Sequence, residues 1–142
     1  MVYEGFSEYA IKKILDHATG KAEWTVPANV YVALFNGDPL NGGVELVDPT
    51  ATDYAREAMA DTDWNSATFA SPTGTITNAT DTDYGTAGAA WGTVDYFAVY
   101  DDPTAGNMLW AGPLEVSRSV QLNDPVKFPA GELKVRLTQA TV

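Results

Sequence analysis

The sequence contains no cysteine, which excludes disulfide bonds, thiolate nucleophiles and zinc sites with cysteine ligands. Histidine is almost as scarce, because His17 is the only one in 142 residues. A Ser-His-Asp triad would have to use this residue, and no Gly-x-Ser-x-Gly motif accompanies it. The simpler interpretation is a residue near a helix C-terminus, where a partly cationic imidazole is favourable. The sequence therefore predicts no enzyme, no catalytic residue and no cofactor.

Basic residues are also few, with 8 Lys and Arg against 19 Asp and Glu and a formal net charge of -11. A broad basic face for nucleic acid is excluded by this balance. No apolar run approaches the ~20 residues that span a bilayer. Residues 1–9 are acidic and aromatic, unlike a secretory signal. We therefore expect no nucleic-acid partner, no membrane partner, and assembly in a cytosol.

The negative charge is unevenly distributed along the chain. Residues 38–102 contain nearly all of the excess acid, and Arg56 is the one cation among them. A solvated acidic surface that aids solubility is the plain interpretation. A docking face for a basic partner, or a weak cation site, is the sharper alternative.

The composition that remains is that of a folded protein, with 45% hydrophobic and 11% aromatic residues. One amphipathic helix is predicted at residues 7–19. Ser7 can act as its N-cap, and apolar residues recur at three- and four-residue spacing from Ala10 to Ala18. Gly20 can end the helix in the left-handed conformation. A helix of about 13 residues is marginal alone, so its apolar stripe needs a partner surface.

From residue 30 onward, short apolar and β-branched runs alternate with Gly, Pro, Asn and Asp turns. The predicted strands are 30–35, 54–59, 68–70, 75–78, 94–100, 108–112, 116–122 and 133–137. Outside the strand at 75–78, the region 71–90 is predicted to be a mobile loop or a sheet edge. The pattern predicts a mainly β, single-domain β-sandwich or barrel-like fold with a short N-terminal helix. We expect one domain over residues 1–142, with the β domain at 30–138.

Four aspartates offer the best oxygen ligands for a metal ion. Asp61, Asp63, Asp81 and Asp83 could form a weak calcium site if their two loops met. The residues after Asp81 lack the EF-hand pattern, and paired aspartates in polar loops are most often turn formers. We therefore predict no metal site.

Three tryptophans raise the question of sugar binding. Trp64, Trp91 and Trp110 could line a cleft beside the acidic segment, as glycan-binding or glycan-cleaving proteins require. Tryptophan in a small β domain is more often a core or interface residue. The sequence favours that second interpretation.

The order of the sequence segments carries further information. The segments are Phe6-Ser7-Glu8-Tyr9-Ala10-Ile11-Lys12-Lys13-Ile14-Leu15-Asp16-His17, Trp24-Thr25-Val26-Pro27-Ala28, Val30-Tyr31-Val32-Ala33-Leu34-Phe35, Asp38-Pro39, Tyr54-Ala55-Arg56, Ala90-Trp91-Gly92-Thr93-Val94, Phe97-Ala98-Val99-Tyr100-Asp101, Gly106-Asn107-Met108-Leu109 and Phe128-Pro129-Ala130-Gly131-Glu132-Leu133. This order resembles a family of small tailed-phage virion proteins, commonly labelled tail fibre or minor tail proteins. The resemblance covers residues 6–138 and is weakest at 60–85. Its motifs are structural, so no catalytic residue is carried over.

The resemblance implies a non-catalytic bacteriophage virion protein of the tail fibre, neck or capsid decoration, assembled in the host bacterial cytoplasm. Such a protein acts through repeated contacts with capsid, neck or tail proteins and in a homo-oligomer or symmetric assembly. The alternative is a carbohydrate-binding or calcium-binding β-sandwich module that mediates attachment to a host glycan. The interface candidates are the apolar residues at the N-terminus and on the helix: Val2, Tyr3, Phe6, Ile11, Ile14 and Leu15.

Overall fold

The computed structural model describes residues 4–25, 27–47 and 52–140, and this part of the chain is mainly β. The one α-helix among these residues, α1, spans Glu8–Ala18, and a short 3-10 helix spans Asp61–Asp63. The strands are β1 Gly5–Phe6, β2 Asn29–Asn36, β3 Val44–Glu45, β4 Glu57–Ala60, β5 Thr68–Ala70, β6 Thr73–Thr77, β7 Thr82–Thr86, β8 Gly92–Tyr100, β9 Met108–Val120, β10 Pro125–Phe128 and β11 Lys134–Thr138.

The largest sheet contains six antiparallel strands in the order β1-β9-β8-β2-β3, and β4 pairs with the other end of β2. Strand β2 is central because its run of β-branched, aromatic and small side chains suits burial on both faces. Its partners are β8 along one edge, and β3 and β4 at the two ends of the other edge. This sheet is the platform on which the remaining elements are placed.

Two smaller antiparallel sheets complete the fold. Strands β10 and β7 form one pair, and β11, β6 and β5 form a three-stranded sheet. Side chains of both smaller sheets share one core with the large sheet, including Leu34, Tyr84, Phe97, Trp110 and Phe128. The antiparallel, mainly β architecture with one short N-terminal helix is confirmed.

The helix prediction is confirmed to within one residue at each end. The Ser7 hydroxyl accepts a hydrogen bond from the backbone N–H of Ala10 at 3.1 Å, as an N-cap does. Thr19 is the C-cap, and Gly20 follows with a φ of 74°. No helix in the described part of the chain is long and apolar enough to cross a membrane.

The loop predicted for most of 71–90 is wrong, whereas the alternative, a sheet edge, fits β7, which among the described strands pairs only with β10. Strands β6 and β7 occupy much of it, and the side chains of Thr82 and Tyr84 are buried. The Tyr84 hydroxyl donates a hydrogen bond to the Val32 carbonyl at 2.7 Å, and its ring packs near Tyr54 and Phe128. One aromatic residue within a Thr- and Asp-rich segment gives too short an apolar pattern to identify a strand.

Other strand boundaries also differ from the prediction. The predicted strands 108–112 and 116–122 form one strand, β9, in which residues 114–117 bulge opposite Asp95. Strand β10 was missed because Pro125 reads as a turn residue, although proline is tolerated as the first residue of a strand. The predicted strand at 54–59 begins only at Glu57, and the loop predicted after β2 contains the short strand β3.

Candidate functional site

The N-terminal segment is fixed to the large sheet where α1 begins. Phe6 pairs with Trp110 across the β1–β9 ladder, and the backbone N–H of Ser7 donates to the Leu109 carbonyl at 2.9 Å. The Ser7 hydroxyl donates to the Met108 carbonyl. Phe6 is therefore partly buried against the core. The other N-terminal interface candidates, Val2 and Tyr3, lie outside the described residues.

Helix α1 uses only part of its apolar stripe for packing on its own chain. Ala10 is fully buried and Ile14 is partly buried. Ile11 and Leu15 lie one row further round the helix, where they remain 48% and 58% exposed. Two large aliphatic side chains at neighbouring i, i+4 positions thus face outward. This exposed row is available to a neighbouring molecule.

An apolar recess opens between the large sheet and the three-stranded sheet. Its volume is about 210 Å³. It is lined by Phe6, Trp24, Val30, Trp64, Ile76, Val99, Leu109, Trp110 and Val135. No charged residue lines it, although the chain as a whole is strongly acidic. Sequence reasoning missed this recess because its walls come from segments far apart in the chain.

Arg56 joins three separate segments beside the outer face of the large sheet. Its guanidinium binds both carboxylate oxygens of Glu45, at 2.8 and 2.9 Å, and donates to the carbonyls of Asp102 and Ala105. The guanidinium carbon also lies 3.7 Å from the ring centroid of Tyr100. With 7% of its side chain exposed, Arg56 holds the β8–β9 loop in place and is not free for a ligand.

Tyr54 extends the same network into the core. Its hydroxyl donates to Glu45 at 3.1 Å and accepts from the backbone N–H of Leu34 at 3.0 Å. Burial is the main cause that raises the pKa of Tyr54, so the phenol stays neutral. The Tyr54-Ala55-Arg56 motif therefore has a structural role in this chain.

Each of the four calcium candidates already accepts a hydrogen bond within the chain. Asp63 caps the 3-10 helix at the Ala60 N–H and accepts from the Thr80 hydroxyl, while Asp61 accepts from the Thr62 N–H. Among the residues that the structure describes, no three acidic or histidine side chains converge to hold a metal ion.

The other two aspartates behave in the same way. Asp81 accepts from Lys127 and from the Ala130 N–H, and these contacts lower the pKa of Asp81. Asp83 accepts from the Gly85 N–H, as a turn former does. His17 is equally local, since its Nδ1 accepts from the Trp24 N–H at 3.2 Å.

The three tryptophans do not share one cleft, because Trp64 and Trp110 line the apolar recess and Trp91 does not. Trp91 and Trp110 are 5% and 1% exposed, and Trp64 is partly buried beside the recess. The indole N–H groups of Trp91 and Trp110 donate to the carbonyls of Thr52 and Arg136. These rings are core residues with their polar atoms satisfied.

A comparison with known protein families identifies the family of this chain. The sequence model of one family, described as podophage GP4 fiber I protein gp80, matches residues 5–136. None of the curated proteins matches the chain. The family match extends from β1 into β11 and so includes the large sheet, the recess and the Arg56 network. The resemblance to phage tail fibre proteins is thereby confirmed, and the chain belongs to the podophage fiber I protein family, a family of phage virion structural proteins.

Proposed function

We propose that the chain is a non-catalytic component of the tail fibre, neck or capsid decoration of a phage particle, and that it acts through repeated protein–protein contacts. The match of the fibre family to residues 5–136 carries this proposal. A virion component repeats one contact many times under symmetry, which suits a rigid β platform with exposed apolar side chains. The four calcium candidates, His17, Trp91 and Trp110 make capping, turn, ion-pair and packing contacts within the chain.

The exposed row of α1 is the first contact surface in this proposal. Ile11 and Leu15 face away from the chain's own core, while Ser7 and β1 fix the helix to β9. Burying a Leu or Ile side chain contributes about 1.5–3 kcal/mol. We propose that this row, with Ile14 beside it, packs against a neighbouring virion protein.

The domain organisation follows the same reasoning. Side chains from α1, the large sheet and the two-stranded sheet share one core, and Val135 of the three-stranded sheet packs against it. A shared core is what defines a domain. We therefore infer that residues 1–142 form a single domain, which attaches to the particle as one body.

Mass spectrometry of purified particles tests the function directly. We expect the chain in washed particles at a fixed copy number. Hundreds of copies indicate the capsid shell, and about a dozen or fewer indicate the neck, tail tip or fibres. Its absence from the particles, or a clear thermal stabilisation by calcium or by a glycan, would support the attachment-module alternative instead.

A double substitution tests the helix row. Replacing Ile11 and Leu15 by serine should lower the copy number per particle without unfolding the chain, because both side chains are exposed. Val116→Ser is the matched control, since Val116 is 71% exposed but lies on the bulge of β9. An equal copy number for both variants would contradict a role for the helix.

A further inference from the structure

The three-stranded sheet has one polar face and one apolar face. Phe69, Gly74 and Leu137 are direct cross-strand partners, so their side chains share a face. Ile76 and Val135 are the next such pair on the same face, because side chains alternate along a strand. The opposite face carries threonines together with Lys134 and Arg136. This alternation is that of a sheet with one face to be buried.

Burial on the apolar face decreases steadily toward its outer end. Leu133, which follows the turn before β11, is fully buried, and Ile76 and Val135 are partly buried at the wall of the recess. Leu137 and Phe69 at the outer end are 57% and 61% exposed. The sheet therefore extends beyond the core that covers it. Large apolar side chains left open next to an apolar recess mark an interaction surface.

The charge distribution indicates which partner fits this surface. Residues 64–79 contain no charged residue, and the only charged residues of the sheet's strands, Lys134 and Arg136, lie on the opposite face. There they pair with Glu115 and Glu4 of the same chain. The rest of the chain carries the whole acidic excess. A basic partner would bind the acidic surface. Another molecule with a net charge of -11 meets the least repulsion at this acid-free sheet.

We propose that a second copy of this chain binds the apolar face of the three-stranded sheet. The face is self-complementary, because the protruding Phe69 and Leu137 lie beside the recess of about 210 Å³. Two copies related by a twofold axis bury the protruding side chains of each against the recess of the other, in an isologous contact. Phe69 is the central residue, since aromatic side chains dominate interface energetics. The inference rests on the proposed function in that it names a second copy as one partner in the repeated protein–protein contacts.

Sedimentation equilibrium of the full chain, from micromolar to submillimolar concentration, tests the pairing. We expect the wild type to reach the mass of a dimer, and Phe69→Glu to raise the dissociation constant by more than about tenfold. Leu137→Glu should act in the same direction. The matched control is Val116→Glu, since Val116 is exposed and apolar but lies on β9, outside this face. Circular dichroism and thermal melts confirm that each variant is folded.

The outcomes separate this inference from the proposed function. A wild type that stays monomeric at every concentration, or a Val116→Glu variant as disruptive as Phe69→Glu, would overturn the inference. If the chain is present in purified particles, the proposed function stands whatever the solution mass. If dimers form but particles lack the chain, the pairing stands and the proposed virion role fails.

Discussion

The large sheet and the three-stranded sheet differ in how completely their apolar side chains are covered by the chain itself. Each has apolar side chains that must be kept from water. The large sheet covers both faces within its own chain. One face lies on the main core, and on the other Ala33, Ala98 and Ala111 lie in one cross-strand row beneath Tyr96, Tyr100 and Met108. The three-stranded sheet covers only the inner end of its apolar face, and its outer end stays open.

This difference separates the residues that stabilise the fold from those available for binding. Buried side chains that are hydrogen-bonded within the chain, such as Asn78 and Arg56, contribute to the free energy of unfolding of the monomer. The exposed outer end of the small sheet contributes little to that stability, so its apolar side chains are available for a partner. Substitutions at the two kinds of position should therefore have different effects, and this can be measured.

The largest loss of stability is expected at Asn78, where the three-stranded sheet joins the main core. Asn78 is fully buried, and its amide nitrogen shares its two hydrogens among the carbonyls of Thr80, Phe128 and Pro129, at 2.8, 3.2 and 3.1 Å. Its amide oxygen accepts from the N–H groups of Gly131 and Leu133. Asn78→Ala removes the side-chain partner of the Leu133 N–H and of the Thr80 carbonyl, whereas the Gly131 N–H and the Pro129 carbonyl keep backbone hydrogen bonds. We expect a loss of about 4 kcal/mol in the free energy of unfolding by urea denaturation.

Asn65 offers the control for that substitution. Its amide also donates hydrogen bonds, to the Thr77 hydroxyl and the Asn78 carbonyl, but the side chain is exposed. Asn65→Ala should therefore cost about 1 kcal/mol or less. Equal losses in the free energy of unfolding for the two variants would show that the buried hydrogen bonds of Asn78 stabilise the fold no more than the exposed ones of Asn65.

The second effect concerns the network beside the outer face of the large sheet. Arg56→Met removes the ion pair with Glu45 and two hydrogen bonds to the loop of Asp102 and Ala105. Because the Glu45 side chain is 20% exposed and partly reaches water, we expect a loss of about 2 kcal/mol. Arg118→Met should be nearly neutral, since Arg118 is exposed and makes no ion pair among the described residues. A neutral Arg56→Met would show that the large sheet does not depend on this contact.

Local patterns were sufficient to predict the elements whose signals lie within one segment. The helix has a cap, a periodic stripe and a terminal glycine, and the run from Val30 to Phe35 is continuously apolar. Both were predicted with nearly correct boundaries. Asn78 and Tyr84 could not be predicted as buried, because their partners lie far away in sequence, at Leu133 and Val32.

The two proposed contact surfaces also differ in how far the sequence could predict them. Exposure of Ile11 and Leu15 agrees with the unpartnered stripe that the sequence indicates. The role proposed for Phe69 depends on the register of β5, β6 and β11, which brings Phe69 into one row with Leu137. No sequence spacing specifies that register, because the strands are short and rich in threonine.

A smaller effect is expected at Glu57, an acidic residue on β4 of the large sheet. Glu57 has a raised pKa, chiefly because of burial and then because of the charges of Asp83 and Asp63. A carboxyl group with a raised pKa in the folded state costs stability once it ionises, so this cost is absent at low pH and grows as the pH rises past about 4.5. Glu57→Gln should raise the Tm slightly at neutral pH and leave it unchanged below the ordinary glutamate pKa. A gain that is independent of pH would exclude the electrostatic cause.

The smallest effect is expected at the exposed end of the three-stranded sheet. Phe69→Ser removes a ring that is 61% exposed and leaves no buried cavity. At submicromolar concentration, where self-association adds no stability, the free energy of unfolding should change by less than about 0.5 kcal/mol. At high concentration the wild type should be the more stable protein, because association stabilises only the folded state. A large loss at low concentration would show that the ring supports its own fold, and the contrast between the two sheets would then disappear. If the difference in stability between the wild type and Phe69→Ser instead grows with protein concentration, it would show that another copy of the chain covers this face.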